Sequence, residues 1–405
     1  MPDLDNRLAR SRTALLDEIE QPPLADVRRR ARRIRRRRST AAGATVLALL
    51  AVIGIGARPW QHDSTPDITA TRPPAIAPVY QGGGIKITGL SPDPVLSLDG
   101  AIADVEFTDP QHGVAAAGCD KECPPLASTA DGGVHWQEVA QSPSGAGLTD
   151  VIAFPGGRWL LRGTDLYWAS ADATRWHIVT PPTQTSRASI GKGELPQAEQ
   201  PAGRVIVVSP DRGPLGPLAH QPGLAVRWVA PAPAGDGAWW VGGLDGAAPA
   251  VAVSHDSGRT WKKTTLPEPA TATDTVAVST LGSEVYAVAR NEAGEVLGIY
   301  HSTDGRGFAA TYLPASTGGQ ETPTRFTGDP VPLLDGRLLL VRPLGTPSSW
   351  WVSEDAGATF TPVAGLPAVG SIRRTYAGYV AYRLFDDTWA AFSTDGADWQ
   401  KLQVY

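Results

Sequence analysis

The sequence predicts an all-β protein folded as a seven-bladed β-propeller, and three observations point there. A turn signature, Ser254-His255-Asp256-Ser257-Gly258-Arg259-Thr260-Trp261, recurs from residue 129 to the C-terminus. Its aspartate positions, Asp131, Asp172, Asp211, Asp256, Asp304, Asp355 and Asp395, lie 41, 39, 45, 48, 51 and 40 residues apart, a mean of 44. That period is the length of one four-stranded blade. A strand-like apolar run precedes most copies and a second follows, as in 250–254 and 261–266. Finally, 44 Gly, 36 Pro and 13 Trp against 1 Met in 405 residues describe many turns with aromatic plugs, and 42% hydrophobic residues suffice for a packed core.

Each residue type in the signature suits a β-hairpin turn. The Ser and Asp oxygens accept hydrogen bonds from N–H groups inside the loop. The Gly takes a backbone angle closed to other residues, and the aromatic folds back as an apolar plug. Three copies match the full pattern, those at Ser254 and Ser353 among them; the copy at Ser170 is shortened, and the others are shortened or partial. The copy at Ser209-Pro210-Asp211-Arg212-Gly213 is degenerate and has no aromatic after it. Each clear unit supplies a first strand, a tight Gly turn, an apolar second strand and a second hairpin, and the signature turn then joins strands three and four. The third unit is the exception: around 187–224 its strands are hard to place, because 204–208 runs into the turn without a preceding hairpin. Six and eight blades are the alternatives.

The N-terminal region reads differently. Residues 1–38 carry 12 Arg and 6 acids, a balance of +6, whereas the remainder has 24 basic and 35 acidic residues, −11, giving −5 overall. Leu4, Leu8, Leu15 and Ile19 have helical spacing, ending at Pro22-Pro23. The Arg-rich run up to Arg38 is followed by residues 39–57, with no charged residue. As a helix those 19 residues span about 28 Å, close to the ~30 Å hydrocarbon core. The expected organisation is therefore a cytoplasmic helical, Arg-rich segment (1–38), a single transmembrane helix (39–57), a Pro/Gly-rich linker (58–87) and an extracytoplasmic propeller (88–405). Positive flanks stay inside, which sets the N-terminus in the cytoplasm. The arginines rest on anionic headgroups at ~1 kcal/mol each. A cleaved signal peptide is the competing reading; 38 residues before the apolar run is long for one. The basic residues are confined to this short segment, so no nucleic-acid partner is expected.

From about residue 100 onward the chain resembles the Asp-box (BNR) repeats of sialidases, sortilin-like receptors, some glycanases and photosystem II assembly-factor-like propellers. The resemblance implies the propeller fold and makes the signature a structural hairpin away from the binding site. For a sialidase it would also imply an arginine triad gripping the substrate carboxylate, a Tyr–Glu nucleophile pair and an acidic Asp. The Arg-Ile-Pro motif of that family is absent. The first strand, 103–107, has no arginine, and none lies between Arg72 and Arg158. Tyr376, Tyr379 and Tyr382 near Arg373, Arg374 and Arg383 resemble a late Arg–Tyr pair; strand alternation explains them equally well.

The two cysteines, Cys119 and Cys123, sit at a hairpin tip, where an oxidising compartment favours a disulfide. The seven turn aspartates are spread around the ring, too far apart for paired acid–base work. The 7 histidines are scattered, and no phosphate loop or dinucleotide fingerprint occurs, so neither metal nor cofactor is expected. Ligand contacts are expected on the face opposite the signature turns, at Asp245, Arg290, Glu292, Arg325, Arg342, Asp386 and Asp387. The function that follows is a membrane-anchored, non-catalytic binding or assembly module for an envelope protein or glycan. The alternative is an exo-acting glycoside hydrolase of the sialidase type.

Overall fold

Runs of β-branched and aromatic residues punctuated by Gly and Asp turns become strands, and the period of about 44 residues decides how they group. The computed structural model describes residues 79–89, 102–117, 126–140, 143, 150–163, 166–269, 271–313, 326–342, 350–384 and 389–402. The expected cytoplasmic segment and transmembrane helix, Cys119, Cys123, Arg325, Asp386 and Asp387 lie outside these residues. Among the described residues every regular element is a strand, and no helix is long and apolar enough to cross a membrane.

The strands form seven sheets; six are meanders of consecutive antiparallel strands, and the seventh adds the first two strands to the last four. Blades 1 to 7 span residues 102–138, 150–179, 195–217, 225–265, 275–312, 327–362 and 371–402. Blades 1, 2, 4, 5 and 6 have four strands, blade 3 has three, and blade 7 has six. The fold is thus a seven-bladed propeller. Burial follows position within a blade. The third strand of blade 4, Ala248–Ser254, is buried at every residue because a neighbouring blade covers each of its faces. Its outermost strand, Lys262–Thr265, is mostly exposed. The core therefore lies between blades, as in the cluster joining Ala230, Val251 and Val253 of blade 4 to Val276, Val285 and Tyr300 of blade 5.

The signature turns are hydrogen-bonded as their residue types require. Ser254 Oγ accepts the Gly258 N–H at 2.8 Å and donates to Asp256 Oδ1 at 2.9 Å, and Asp256 Oδ1 accepts the Thr260 N–H at 2.9 Å. The turn at Ser353 repeats this with Gly357, Asp355 and Thr359 at 2.7, 2.7 and 2.8 Å. The glycine serves twice. It holds a positive φ, 83° at Gly258 and 96° at Gly357. It also faces the preceding blade, where a Cβ would press on Leu218 or Ile299 at 2.8 Å. The plug also follows expectation at Trp136 and Trp399, which are buried and bond back to Gly133 and Gly396. Trp261 departs from it: its indole reaches across to the His220 carbonyl at 3.1 Å.

Blade 3 corrects the expected four-strand unit. Its strands, in order outward from the centre, are Leu195–Glu199, Arg204–Ser209 and Gly213–Pro217. A hairpin does precede 204–208, and the degenerate turn joins the second and third strands instead of the third and fourth. Leu195 pairs with Val208 beside that turn, and Glu199 pairs with Arg204 at the other face. The innermost strand of blade 3 therefore runs opposite in sense to the other innermost strands. The outer position is taken by a segment preceding the blade: Thr185 and Arg187 donate to the Leu215 and Pro217 carbonyls at 3.1 and 2.8 Å, in parallel. Pro214 and Pro217 have no N–H to leave unpaired there.

Blade 7 gains two strands from residues assigned by composition to the linker. Val79–Gly82 and Ile85–Thr88 form a hairpin, and Ile85–Thr88 pairs in parallel with the outer strand Asp398–Leu402. Gly82-Gly83-Gly84 is its tight corner. A Cβ on Gly82 would overlap the Ala364 carbonyl oxygen of blade 6, and Arg337 donates to the Gly83 carbonyl. Ile85 and Ile87 are fully buried among Val331, Val363 and Trp399.

Gly82→Ala is expected to lower unfolding free energy by about 1–3 kcal/mol through overpacking. Gly235→Ala, with no atom within 4 Å of the new Cβ, should change it by less than about 0.5 kcal/mol; urea titration of both variants checks this. In the same assay Ser254→Ala should cost about 1–3 kcal/mol by stranding a buried N–H. Ser209→Ala should cost less, because Ser209 Oγ takes only a long contact from the Asp211 N–H at 3.4 Å.

Candidate functional site

The innermost strand of blade 1, Ile102–Phe107, alternates apolar and acidic residues. Period-two geometry sends Val105 and Phe107 to one face and Asp104 and Glu106 to the other. Val105 and Phe107 are fully buried against blade 7, with Phe107 stacked on Phe392 at 3.9 Å. The two carboxylates meet Arg373, from the innermost strand Ser371–Arg374 of blade 7. Arg373 Nη2 donates to Glu106 Oε1 at 2.6 Å and to Asp104 Oδ1. Asp104 Oδ2 also accepts the Val151 N–H of blade 2 at 2.9 Å. Tyr382, on the second strand of blade 7, exchanges two hydrogen bonds with blade 1: its hydroxyl accepts the Val105 N–H and donates to the Val105 carbonyl, both at 3.2 Å. The Arg373 guanidinium stands 5.9 Å from the Tyr382 ring centroid.

This cluster borders a central cavity of about 270 Å³, lined by the innermost strands of blades 1 to 4 and by Tyr376 of blade 7. Asp150 and Arg162 of blade 2 form an ion pair at 3.0 Å on its wall. Arg227 donates to Gln200 Oε1 at 2.9 Å, and Trp228 and Tyr376 give partly exposed aromatic surface. Three wider recesses, about 600, 510 and 620 Å³, lie on the signature-turn face between blades 1 and 2, between blades 4 and 5 and between blades 5 and 6. Aspartates in their walls are engaged in their own turns: Asp131 accepts from Thr129 and His135, and Asp355 from Ser353 and Thr359.

Burial pushes Glu106 well above the ordinary carboxyl range, against the pull of Arg373 and with help from Asp104 and Asp150. Burial raises Asp150 too, against Arg162. Burial works against the Arg373 charge, yet Tyr382, Glu106 and Asp104 hold its pKa above the usual arginine value. Burial raises Tyr382 despite Arg373. A protonated carboxyl beside a second carboxylate is the arrangement of acid–base pairs. A tyrosine nucleophile needs a depressed pKa, and Tyr382 has the reverse. Arg162 and Arg373 both reach the centre, each already held by a protein carboxylate.

The residues expected to bind ligand are placed separately. Asp245 pairs with Lys263 at 2.6 Å and accepts from Thr265 at 2.9 Å, within blade 4. Glu292 is exposed on a turn. Arg342 lies 5.6 Å over the Trp351 ring of its own blade. Arg290 turns inward to the Gly328 carbonyl of blade 6. No hydrogen bond or ion pair joins these four to one another among the described residues. Of the signature aspartates, Asp211 alone among those described pairs outside its blade, with Arg158 of blade 2 at 2.7 Å. Asp104, Glu106 and Asp150 were missed as site residues. The signal was present, since two acids alternate with Val and Phe in an innermost strand.

No protein-family model matches the chain, and no curated protein matches it. Among solved structures it is similar to YCF48 bound to a D1 peptide, with 15% identity over 76% of this chain and 85% of that chain and a TM-score of 0.32. It is also similar to the GH74 xyloglucanase from Xanthomonas campestris, with 14% identity over 77% of this chain and 74% of that chain and a TM-score of 0.37.

Because Glu106 is raised in the folded state, that state binds its proton more tightly than the unfolded chain does. The stability it contributes is full below the unfolded value near 4.5 and is lost as pH rises toward the folded value, at up to about 1.4 kcal/mol per pH unit. Glu106→Gln should therefore flatten the decline of Tm between pH 5 and 8. At pH 8 it should unfold at a higher temperature than the parent; calorimetry across that range reads the difference.

Proposed function

We propose that this chain is an Asp-box-type propeller held at a membrane by residues 39–57 and displayed on the extracytoplasmic side. In this reading it acts as a non-catalytic module that binds an envelope protein or glycan at its central cavity. The observation that carries the reading is the state of the cavity wall. Its acids are already engaged, Glu106 with Arg373 and Asp150 with Arg162, while the exposed Arg227 donates one hydrogen bond to the neutral Gln200 amide. What remains for a ligand is polar edges beside the aromatic surfaces of Trp228 and Tyr376. Such a surface recognises by hydrogen bonding and stacking and offers no activated nucleophile. One observation favours an exo-acting glycoside hydrolase instead: Glu106 is held toward its protonated form beside Asp104, as general-acid chemistry requires.

Full-length protein in detergent, screened against immobilised envelope oligosaccharides and synthetic peptides of envelope proteins, is expected to retain a subset of them. The Trp228→Ala, Tyr376→Ala double variant should lose at least tenfold in affinity while keeping its Tm within a few degrees. Undiminished retention by the folded double variant would place binding elsewhere. Turnover of fluorogenic glycosides that disappears in Glu106→Gln would replace the binding reading with the hydrolase.

A further inference from the structure

Blades 5, 6 and 7 meet at a break in the innermost strand of blade 6. Thr327 pairs with Val341, but the next pair is Val331 with Leu339, so Gly328, Asp329 and Pro330 bulge out of the ladder. Bulges re-aim side chains next to sites of function. Here Gly328, at a φ of 77°, backs so closely onto blade 7 that a Cβ would overlap the Ile372 carbonyl. Thr327 Oγ1 secures the approach by donating to the Gly370 carbonyl at 2.9 Å.

The bulge turns the Asp329 carboxylate toward blade 7, where Oδ2 accepts the Arg374 N–H at 2.8 Å. From blade 5, Arg290 donates through Nη2 to the Gly328 carbonyl. The Asp329 carboxylate acts on the Arg290 charge, and both Asp329 and the Arg374 charge act on Tyr379, so the two arginines share one neighbourhood. Arg290 Nε is shielded from water and has no acceptor among the described residues. The Arg374 guanidinium donates to no described group, since the one bond of this residue to Asp329 uses the main chain. Burial pushes Arg290 below the usual arginine value, and Asp329 only partly opposes it. Asp329 is the charged group that acts on Arg290 among the described residues, and a guanidinium fork fits the oxygens of carboxylate and phosphate.

We propose that the bulge at Gly328–Asp329 is an oxyanion site, in which Arg290 and Arg374 take a phosphate or carboxylate group, either as a free ion or as the acidic group of a larger ligand. Asp329 orients the site, and its Oδ2 is already engaged by the Arg374 N–H. The site belongs to blades 5 to 7 and uses none of the residues assigned to the central cavity.

The test uses full-length protein at constant ionic strength, titrated with inorganic phosphate or acetate and, separately, with glycerol phosphate or glucuronate, following Tm and heat of binding. A saturable rise in Tm beyond that given by chloride is expected. Arg374→Gln should weaken binding at least tenfold, whereas Arg259→Gln, on an exposed turn, should leave it unchanged. Phosphate or acetate binding as tightly as the larger acids assigns the site to a free ion; tenfold tighter binding of glycerol phosphate or glucuronate assigns it to a larger ligand. No response beyond chloride, or an equal response from folded Arg374→Gln, would overturn the proposal.

Discussion

A ring of sheets is stable only if its first and last members meet, because each blade relies on the next to cover its apolar face. Closure here is made at three radii. Near the axis, the Tyr382 hydroxyl satisfies both main-chain groups of Val105, and Arg373 joins the two acids of the same strand. Between those contacts and the rim, Phe107 stacks on Phe392 and buries the seam. At the rim, the hairpin 79–88 continues blade 7 past its own outer strand and wedges into blade 6. Polar groups at the axis and apolar burial farther out are complementary: the first fixes register, and the second supplies most of the stabilisation.

The signature turns repeat this logic at each junction they serve. Their hydrogen bonds are local, but the glycine at each full turn also lets a blade approach its predecessor, at Gly258 against Leu218 and at Gly357 against Ile299. Local turn chemistry and long-range packing thus select the same residue. Blade 3 shows what happens when the local pattern decays. With a degenerate turn and prolines in its last strand, it keeps three meandering strands and recruits a parallel segment from the chain before it. The ring absorbs this because neighbouring blades need an apolar face of the right depth, whatever the sense of the strands that provide it.

The centre carries an obligation of its own. Seven innermost strands bring side chains from distant parts of the chain into a narrow space, so charges there must be paired or neutralised. Burial pushes Glu106 upward against the pull of Arg373, Arg373 is shared between two acids, and Asp150 is held by Arg162. Arg373 belongs to the seam and, through Glu106, stands beside the cavity.

Much of the fold was legible in the chain. A single turn chemistry at a period of about 44 residues allows few architectures, and each turn is a short-range object whose hydrogen bonds join residues two to four apart. Blade number followed from counting them. Blade 3 was obscured because its inner strand, 195–199, contains Pro196 and Gln197 and lacks an apolar run. The hairpin 79–88 was hidden because Gly82-Gly83-Gly84 has the composition of a linker, and only the approach of Ala364 and Arg337 makes those glycines a corner. The site was least legible. Asp104 and Arg373 are 269 residues apart, and no local pattern joins them. What the sequence by itself determined is what depends on neighbours along the chain: strands, turns and their count. What the tertiary structure alone decided is what depends on ring closure: which acids meet which arginines, which carboxyl burial pushes upward, and that Arg290 of blade 5 meets the bulge of blade 6.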